Sequence, residues 1–201
     1  MNVAVLLFEE FETLDVFGPV EIFGRLKEDY QIKFYSLVGG DVSNSHGVMI
    51  PTRKLAAIKT GVDIFIIPGG YGTRTEVKNK SLLKIIQKIS EFSKFVLTVC
   101  TGTALLAKTG LLDYKKATTN KIAFDWVITN GANVDWVKKA RWVVDGKFYT
   151  SSGVSAGMDM TLGFLKDIHG VSVARCVASE IEYEWIEDSE NDSFYNKEKL
   201  S

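Results

Sequence analysis

The stretch FVLTVCTGTALLAK occupies residues 95–108 and decides how the middle of the chain folds. Its first five residues form an apolar run that is typical of a buried strand, and the small and aliphatic residues from Thr101 onward favour a helix. Cys100 stands at the junction, so the pattern predicts a tight strand-to-helix turn that presents a thiol. Backbone N–H groups at the start of the helix would favour the thiolate. Core packing is the competing interpretation, because free cysteine is among the most buried residue types.

Short apolar runs alternate with longer amphipathic ones, which predicts an α/β fold around a parallel sheet. The expected strands in the first half are Val3–Phe8, Gln31–Leu37, Val62–Ile67 and Lys94–Val99. The last two are almost continuously apolar, as strands covered on both faces are. The expected helices in the first half are Leu14–Leu26, Ser81–Phe92 and Thr101–Lys108. Thr13 is a candidate cap for the first of them.

The second half of the chain has a more mixed pattern. The expected helices there are Ile122–Thr129, Ala156–Asp167 and Val171–Glu187, and the expected strands are Val134–Val137, Ala140–Val144 and Lys147–Thr150, with a hairpin turn at Asp145-Gly146. We expect one domain over residues 1–187. The remaining residues, 188–201, form a polar tail that is either frayed or ordered only against a partner subunit.

Composition excludes several classes of function. The 201 residues have a net charge of −1, which gives no electrostatic footprint for nucleic acid or an anionic membrane. Two cysteines exclude a disulfide framework and a cysteine-rich zinc site, and they fit the cytoplasm. The apolar start of the chain runs into Glu9 and Glu10, so we expect a strand there and not a signal peptide. No stretch is long enough to span a membrane.

Ligands of an open parallel sheet bind outside the carboxyl ends of the strands, so polar groups that follow the strands are candidates for a site. Three such segments are residues 9–15, Pro68-Gly69-Gly70-Tyr71-Gly72 and Cys100-Thr101-Gly102. A carboxylate, a set of glycine amides and a thiol could therefore meet at one edge of the sheet.

Each of these groups has a plainer interpretation as well. The amides of Gly69 and Gly70 could form an oxyanion hole with that of Thr101, or the glycines could serve a simple turn. Asp15 has large apolar neighbours in the sequence, and desolvation by them could raise its pKa and let it exchange a proton. The plainer interpretation is that Asp15 caps a helix. We expect Glu21 to be an ordinary exposed acid on the same helix, unless its side chain turns back toward the site. The glycine spacing does not match a phosphate-binding loop, so nucleotide binding is unsupported.

Taken together, these segments resemble the ThiJ/PfpI superfamily of glutamine-amidotransferase-like proteins. The matching segments follow the family's order over residues 3 to about 182, and they are LDVFGPVEIF at 14–23, PGG at 68–70, VCTG at 99–102, GLL at 110–112 with ATT at 117–119, and SAGMD at 155–159. The resemblance implies a flavodoxin-like three-layer α/β sandwich with a mostly parallel central sheet and a nucleophile elbow. It also implies a homodimer that needs no cofactor or metal.

Within the superfamily, Cys-Thr-Gly together with Leu-Asp-x-x-Gly-Pro looks like the isonitrile hydratase branch. This resemblance implies that Cys100 is the nucleophile and that Asp15 handles the proton and the water. Thr101 would orient the intermediate, and the amides of Gly69, Gly70 and Thr101 would stabilise developing charge. The expected activity is the cofactor-independent hydration of a small-molecule isonitrile to an N-substituted formamide.

The chain also departs from relatives of other types. Peptidase-like members have histidine directly after the nucleophile and many relatives have one after the Thr-Thr pair, where this chain has Thr101 and Asn120, so peptide hydrolysis is disfavoured. We expect His46 and His169 to be surface or capping residues. A proline-rich tail common in hydratase-like relatives is absent from residues 187–192.

Two alternative functions stay open, and two further side chains receive structural roles. A glyoxalase or deglycase would add the same thiol to a reactive carbonyl. A ligand or redox sensor would resemble the amino-terminal domains of AraC-type regulators that share this fold, and oxidation of Cys100 to a sulfinic acid could signal through a protein partner. We expect no helix-turn-helix domain after residue 187 and hence no direct DNA binding. We expect Cys176 to be a core or interface thiol and Asp159 to cap the late helix.

Overall fold

The centre of the protein is a mixed sheet with helices packed around it. The structure is a computed structural model, and it describes residues 1–196. The strands in this range are β1 (Asn2–Leu6), β2 (Gln31–Ser36), β3 (Gly40–Ser43), β4 (Met49–Lys54), β5 (Ile64–Ile67), β6 (Phe95–Thr98), β7 (Lys116–Ala117), β8 (Asp135–Trp136), β9 (Trp142–Asp145) and β10 (Phe148–Ser151). The α-helices are α1 (Thr13–Gly24), α2 (Thr73–Glu76), α3 (Lys80–Phe92), α4 (Gly102–Lys108), α5 (Phe124–Ile128), α6 (Ala156–His169) and α7 (Val171–Glu180).

Eight strands form the main sheet in the order β3-β4-β2-β1-β5-β6-β10-β9. The six inner strands pair in parallel, and the edge strands β3 and β9 pair antiparallel to their neighbours. Helix α6 contacts both α1 and α7, and helix α4 contacts both α2 and α3. This mostly parallel sheet flanked by helices confirms the predicted fold class. The two short strands β7 and β8 form a separate parallel pair.

The core is densest around the middle strands. Every residue of β5 is buried, as the continuous apolar run predicts for a strand covered on both faces. Phe164 on α6 packs against three aromatic rings, with centroid distances of 5.0 Å to Phe95, 5.3 Å to Tyr149 and 5.8 Å to Phe23. Rings in edge-to-face contact add to the free energy gained by burial alone. This packing fixes α6 against β6 and β10, two strands that lead into the candidate site.

Several elements differ from the sequence-based expectations. The hairpin of β3 and β4 was not predicted, because its strands are largely polar and partly exposed, and β4 contains Pro51. Helix α7 ends at Glu180 and not at Glu187, and Glu182 has a φ of +50° where the chain turns away. The segment expected as a strand at Val134–Val137 pairs outside the main sheet. Within residues 1–196, no helix has both the length and the apolar character needed to cross a bilayer.

The chain after α7 returns to the domain and is held there. The carbonyl of Ser189 accepts hydrogen bonds from the N–H groups of Arg141 and Trp142 at 2.8 and 3.3 Å. Asp192 is buried, and its N–H donates to the Lys139 carbonyl at 2.8 Å. The described part of the predicted tail, residues 188–196, therefore packs on its own domain. The rest of that tail, residues 197–201, lies outside the described residues.

Candidate active site

Cys100 occupies the predicted turn between β6 and α4. Its φ is +57°, a left-handed conformation that costs a residue other than glycine about 1–3 kcal/mol. Two hydrogen bonds hold the backbone in this state: the Cys100 N–H donates to the Ser152 carbonyl at 3.1 Å, and the Thr119 hydroxyl donates to the Cys100 carbonyl at 2.7 Å. These two bonds fix the backbone of the turn against the segments that contain Ser152 and Thr119.

Asp15 lies in the first turn of α1 and is completely buried. Its Oδ2 accepts a hydrogen bond from the N–H of Gly69 at 2.9 Å, so the carboxyl binds a different loop and does not cap its own helix. Within residues 1–196, its Oδ1 is buried without a hydrogen-bond partner. Burial raises the pKa of Asp15 from 3.8 to about 8, the Gly69 N–H lowers it, the charge of Glu12 raises it, and the adjacent Cys100 side chain lowers it. The carboxyl is therefore mostly protonated at neutral pH.

The thiol of Cys100 is also neutral in the resting protein. Burial raises its pKa well above the ordinary value, and the neighbouring Asp15 raises it further. The N–H groups of Thr101 and Val154 and the side chain of Asn120 lower it, but they do not outweigh burial. The Thr101 N–H at the start of the helix thus favours the thiolate in the predicted direction, but burial outweighs it and the resting group is the thiol. The pair formed by Cys100 and Asp15 consists of a thiol beside a carboxylic acid.

The glycine loop holds Asp15 and Thr101 in place. A side chain at Gly69 would put its Cβ 2.6 Å from the Thr101 nitrogen and 2.7 Å from Oδ2 of Asp15, so only glycine allows this close approach. The N–H of Gly70 donates to the Thr101 hydroxyl at 3.0 Å. Since the N–H of Gly69 is also engaged, by Asp15, neither glycine amide is free to bind an oxyanion in this conformation. The Thr101 N–H remains the predicted donor that faces the sulfur.

Sequence reasoning missed two of the groups around the sulfur. Asn120 was noted only for standing where relatives carry histidine, and Val154 was not singled out. Both come from segments far along the chain, after β7 and after β10. The small residues Ser152-Gly153 before Val154 were a weak signal of a close approach in the sequence. In the structure, a Cβ at Gly153 would lie 2.6 Å from Nδ2 of Asn120, so glycine leaves room for that side chain. This close approach brings the Asn120 amide next to the thiol.

A cavity of about 170 Å³ adjoins these groups. Its wall includes Asn120 and Val154, which also contact the sulfur, together with Ile122 and, from the C-terminal segment, Asp192 and Phe194. Within residues 1–196, no three His, Cys, Asp or Glu side chains group closely enough to hold a metal ion.

Asp159 has a different role from the one predicted. It does not cap α6; its completely buried carboxylate accepts a hydrogen bond from Nε of Arg141 at 2.6 Å. Its Oδ1 accepts from the Tyr183 hydroxyl at 3.1 Å and from the Ile186 N–H at 3.0 Å. Asp192 adds a second acid, 3.6 Å from Arg141. This buried cluster fastens the chain after α7 to the domain.

The remaining candidate residues lie outside the site. Glu21 is exposed and forms an ion pair with Arg25 on the same helix. Nδ1 of His46 lies 2.6 Å from the Thr13 hydroxyl, and Nε2 of His169 lies 2.7 Å from the Tyr30 hydroxyl. Cys176 is exposed on α7, so it is not a core thiol, and its placement at an interface stays a prediction.

Comparisons with known proteins agree with this architecture. The family model of the DJ-1/PfpI family matches residues 1–167. The isonitrile hydratase of Pseudomonas putida is 30% identical over 183 residues, which cover 91% of this chain and 78% of the hydratase. A deglycase of Thermococcus kodakarensis is 29% identical over 155 residues, which cover 75% of this chain and 89% of the deglycase. The crystal structure of a ThiJ/PfpI family protein from Pseudomonas syringae superposes with a TM-score of 0.83 at 26% identity, covering 91% of this chain and 75% of that one. The chain belongs to the DJ-1/PfpI family.

Proposed function

We propose that this protein is a cofactor-independent hydratase that converts an isonitrile to an N-substituted formamide through a covalent bond to Cys100. The observation that carries the proposal is the buried pair of a thiol and a carboxylic acid. The pKa of Asp15 is raised to about 8, so its carboxyl keeps a proton at neutral pH. The similarity to the isonitrile hydratase of Pseudomonas putida supports the choice of substrate.

The first step joins the substrate to the enzyme. The terminal carbon of an isonitrile bears a lone pair and accepts a proton, after which it is open to attack. Asp15 donates its proton to this carbon, the sulfur of Cys100 forms the C–S bond, and the thiol proton passes to the Asp15 carboxylate. The product is a thioimidate, R–N=CH–S, and Asp15 is again protonated. A carboxyl with a pKa near the working pH suits this exchange.

The second step adds water and releases the product. Asp15 and the bound nitrogen exchange protons while water adds to the C=N bond, giving a tetrahedral R–NH–CH(OH)–S intermediate. Its collapse forms the formamide carbonyl, breaks the C–S bond and returns a proton to sulfur. The sum is one isonitrile and one water consumed for one formamide formed. The N–H groups of Thr101 and Val154 and the side chain of Asn120 surround the sulfur and would stabilise its charge as it leaves.

Thr101 has a second role in this proposal, as a positioning residue. Its hydroxyl accepts hydrogen bonds from the Gly70 N–H at 3.0 Å and from the Thr73 hydroxyl at 3.2 Å. These contacts fix the turn against the glycine loop, whose Gly69 binds Asp15. The loop therefore holds the acid and the thiol together.

Formamide production from an alkyl isonitrile tests the proposal. We expect Cys100→Ala to abolish turnover and Asp15→Asn to lower kcat by about 10²–10⁴-fold, the usual contribution of a general acid or base. In the wild type, kcat/KM should fall above a pH of about 8, where Asp15 loses its proton. Matched controls are Cys176→Ser and Glu21→Gln, which change an exposed thiol and an exposed acid. Undiminished turnover in Cys100→Ala would overturn the mechanism.

A deglycase or glyoxalase activity is the second candidate, supported by the deglycase of Thermococcus kodakarensis. The same thiol would add to an aldehyde as a hemithioacetal. Consumption of methylglyoxal without turnover of any isonitrile would favour it. A peroxide sensor is less well supported, because the thiolate is the form that reacts with oxidants and burial raises the pKa of Cys100.

The proposed activity also sets requirements for the surroundings of the protein. Cys100 must stay reduced, which fits the proposed cytoplasmic location. A homodimer is proposed from the resemblance to the superfamily, with no nucleic acid or membrane as partner. Light scattering of the purified protein would test the dimer by its mass.

A further inference from the structure

The cavity beside the sulfur has an apolar outer part and a polar inner end. Cys100 itself does not line the cavity, but Asn120 and Val154 line it and also contact the thiol, so the cavity and the reacting atom share these two neighbours. Ile122 and Phe194 line it farther out and stay 76% and 49% exposed, which places them at its mouth. A group bonded to the sulfur would therefore extend past the Asn120 amide toward apolar side chains.

The size of the cavity limits what it can hold. Its volume of about 170 Å³ is close to that of an engineered apolar cavity, ~150 Å³, that binds benzene. Pockets for nucleotides and drug-sized ligands span roughly 300–1,000 Å³. The cavity therefore fits a short alkyl chain or a single ring, and a larger substituent would have to extend past its mouth.

Phe194 is held in its position by the chain that follows α7. Its N–H donates to Oδ1 of Asp192 at 2.9 Å, and Asp192 lies 3.6 Å from Arg141 and 4.0 Å from Lys121, both largely buried. Lys121 in turn donates to the Ala140 carbonyl at 2.6 Å. An ion-pair cluster inside the domain thus supports the outer wall of the cavity.

We propose that this cavity is the subsite for the substituent on the isonitrile nitrogen, and that Phe194 limits the largest substituent accepted. The inference rests on the proposed function and narrows it to isonitriles with a short alkyl or monocyclic group. The linear R–N≡C unit places its carbon at Cys100 and its substituent outward, in the direction of Ile122 and Phe194.

A series of methyl, n-butyl, cyclohexyl and 2-naphthyl isonitriles tests the subsite by turnover. In the wild type, kcat/KM should rise through cyclohexyl and drop for naphthyl. Filling an apolar pocket by one methylene changes kcat/KM by about 10-fold or more, so the drop should be easily measured. Phe194→Ala should raise the naphthyl-to-methyl ratio at least about 10-fold. Tyr195→Ala, which removes a neighbouring aromatic ring outside the cavity lining, should leave the ratio unchanged.

Alkylation of Cys100 tests the subsite without relying on hydration. In a Cys176→Ser background, chloroacetamides with the same four N-substituents should alkylate Cys100 with the same order of rates, measured by intact mass. Phe194→Ala should again favour the naphthyl reagent. Equal rate ratios in the two proteins would overturn the subsite. Retained size dependence with no turnover of any isonitrile would overturn the hydratase proposal and leave the subsite in place. Circular dichroism of Phe194→Ala checks that the variant folds.

Discussion

Replacing Asp15 by asparagine should remove a pH-dependent cost to folding. The buried carboxyl has a pKa of about 8 in the folded protein and 3.8 as its ordinary value. Between these two pH values the folded state therefore binds one proton more than the unfolded state does at this position. Stability then falls as pH rises, because the unfolded state gains from losing that proton. Asparagine has nearly the same shape and does not titrate in this range.

The size of the effect follows from one proton. The free energy of unfolding contributed by Asp15 falls by about 1.4 kcal/mol for each pH unit inside this window. From about pH 5 to about pH 7 the wild type should therefore lose about 3 kcal/mol relative to Asp15→Asn. The asparagine side-chain oxygen can still accept the hydrogen bond from the Gly69 N–H. Any remaining difference in stability between the two proteins does not depend on pH, so it does not change the slope of the free energy of unfolding against pH.

Urea unfolding of both proteins at several pH values, in the presence of a thiol reductant, measures the difference. Glu21→Gln is the matched control, because its acid is exposed beside Arg25 and its curve should run parallel to the wild type. The free energies of unfolding of the wild type and Asp15→Asn should diverge steadily with pH. Parallel curves would refute the reasoning, since they would mean that Asp15 is ionised in the folded protein.

Three further predictions concern the groups around the site. Asp159→Asn should lower the free energy of unfolding by about 3–5 kcal/mol in urea titrations, because it leaves Arg141 short of a buried partner. Gly69→Ala should cost about 1–3 kcal/mol and reduce turnover, because its Cβ meets backbone and side-chain atoms at 2.6 Å. Iodoacetamide at neutral pH should alkylate the exposed Cys176 before Cys100, as peptide mapping would show, because burial raises the pKa of Cys100.

Each of these predictions has a control within the chain. Glu187→Gln disrupts the exposed ion pair with Arg175 and should leave stability almost unchanged. Gly24→Ala adds a Cβ that meets nothing within 4 Å. Equal losses in the paired variants would contradict the roles assigned to Asp159 and Gly69. Faster alkylation of Cys100 than of Cys176 would contradict the neutral resting thiol.

The fold could be predicted where local pattern and final environment agree. Residues 64–67 are all apolar, and residues 95–98 are apolar except for Thr98, because these strands are covered on both faces, so sequence alone identifies them. The turn at Cys100 follows from the change to small residues. The hairpin of β3 and β4 gave no such signal. Its strands are partly exposed, so their sequences contain many polar residues and show only a weak alternation of polar and apolar positions.

The segments that meet at the candidate site were partly predictable, but its neighbours Asn120 and Val154 and its electrostatics were not. The segments with Asp15, Gly69 and Cys100 could be placed together, since they follow neighbouring strands of one sheet. The pKa of Cys100 depends on how deeply the thiol is buried and on the distance to Asp15, and neither is written in a local pattern. The same holds for Asp159, whose partner Arg141 and whose contacts after α7 are fixed only in three dimensions.

The mass of the enzyme during turnover tests the central claim most directly. Rapid quenching after mixing with cyclohexyl isonitrile, followed by intact mass and peptide mapping, should find one added substrate on Cys100. The adduct should form more slowly in Asp15→Asn, because Asp15 supplies the proton for the step that forms the C–S bond, and it should be absent from Cys100→Ala. Formamide production without any adduct, at a rate that Cys100→Ala retains, would contradict the account.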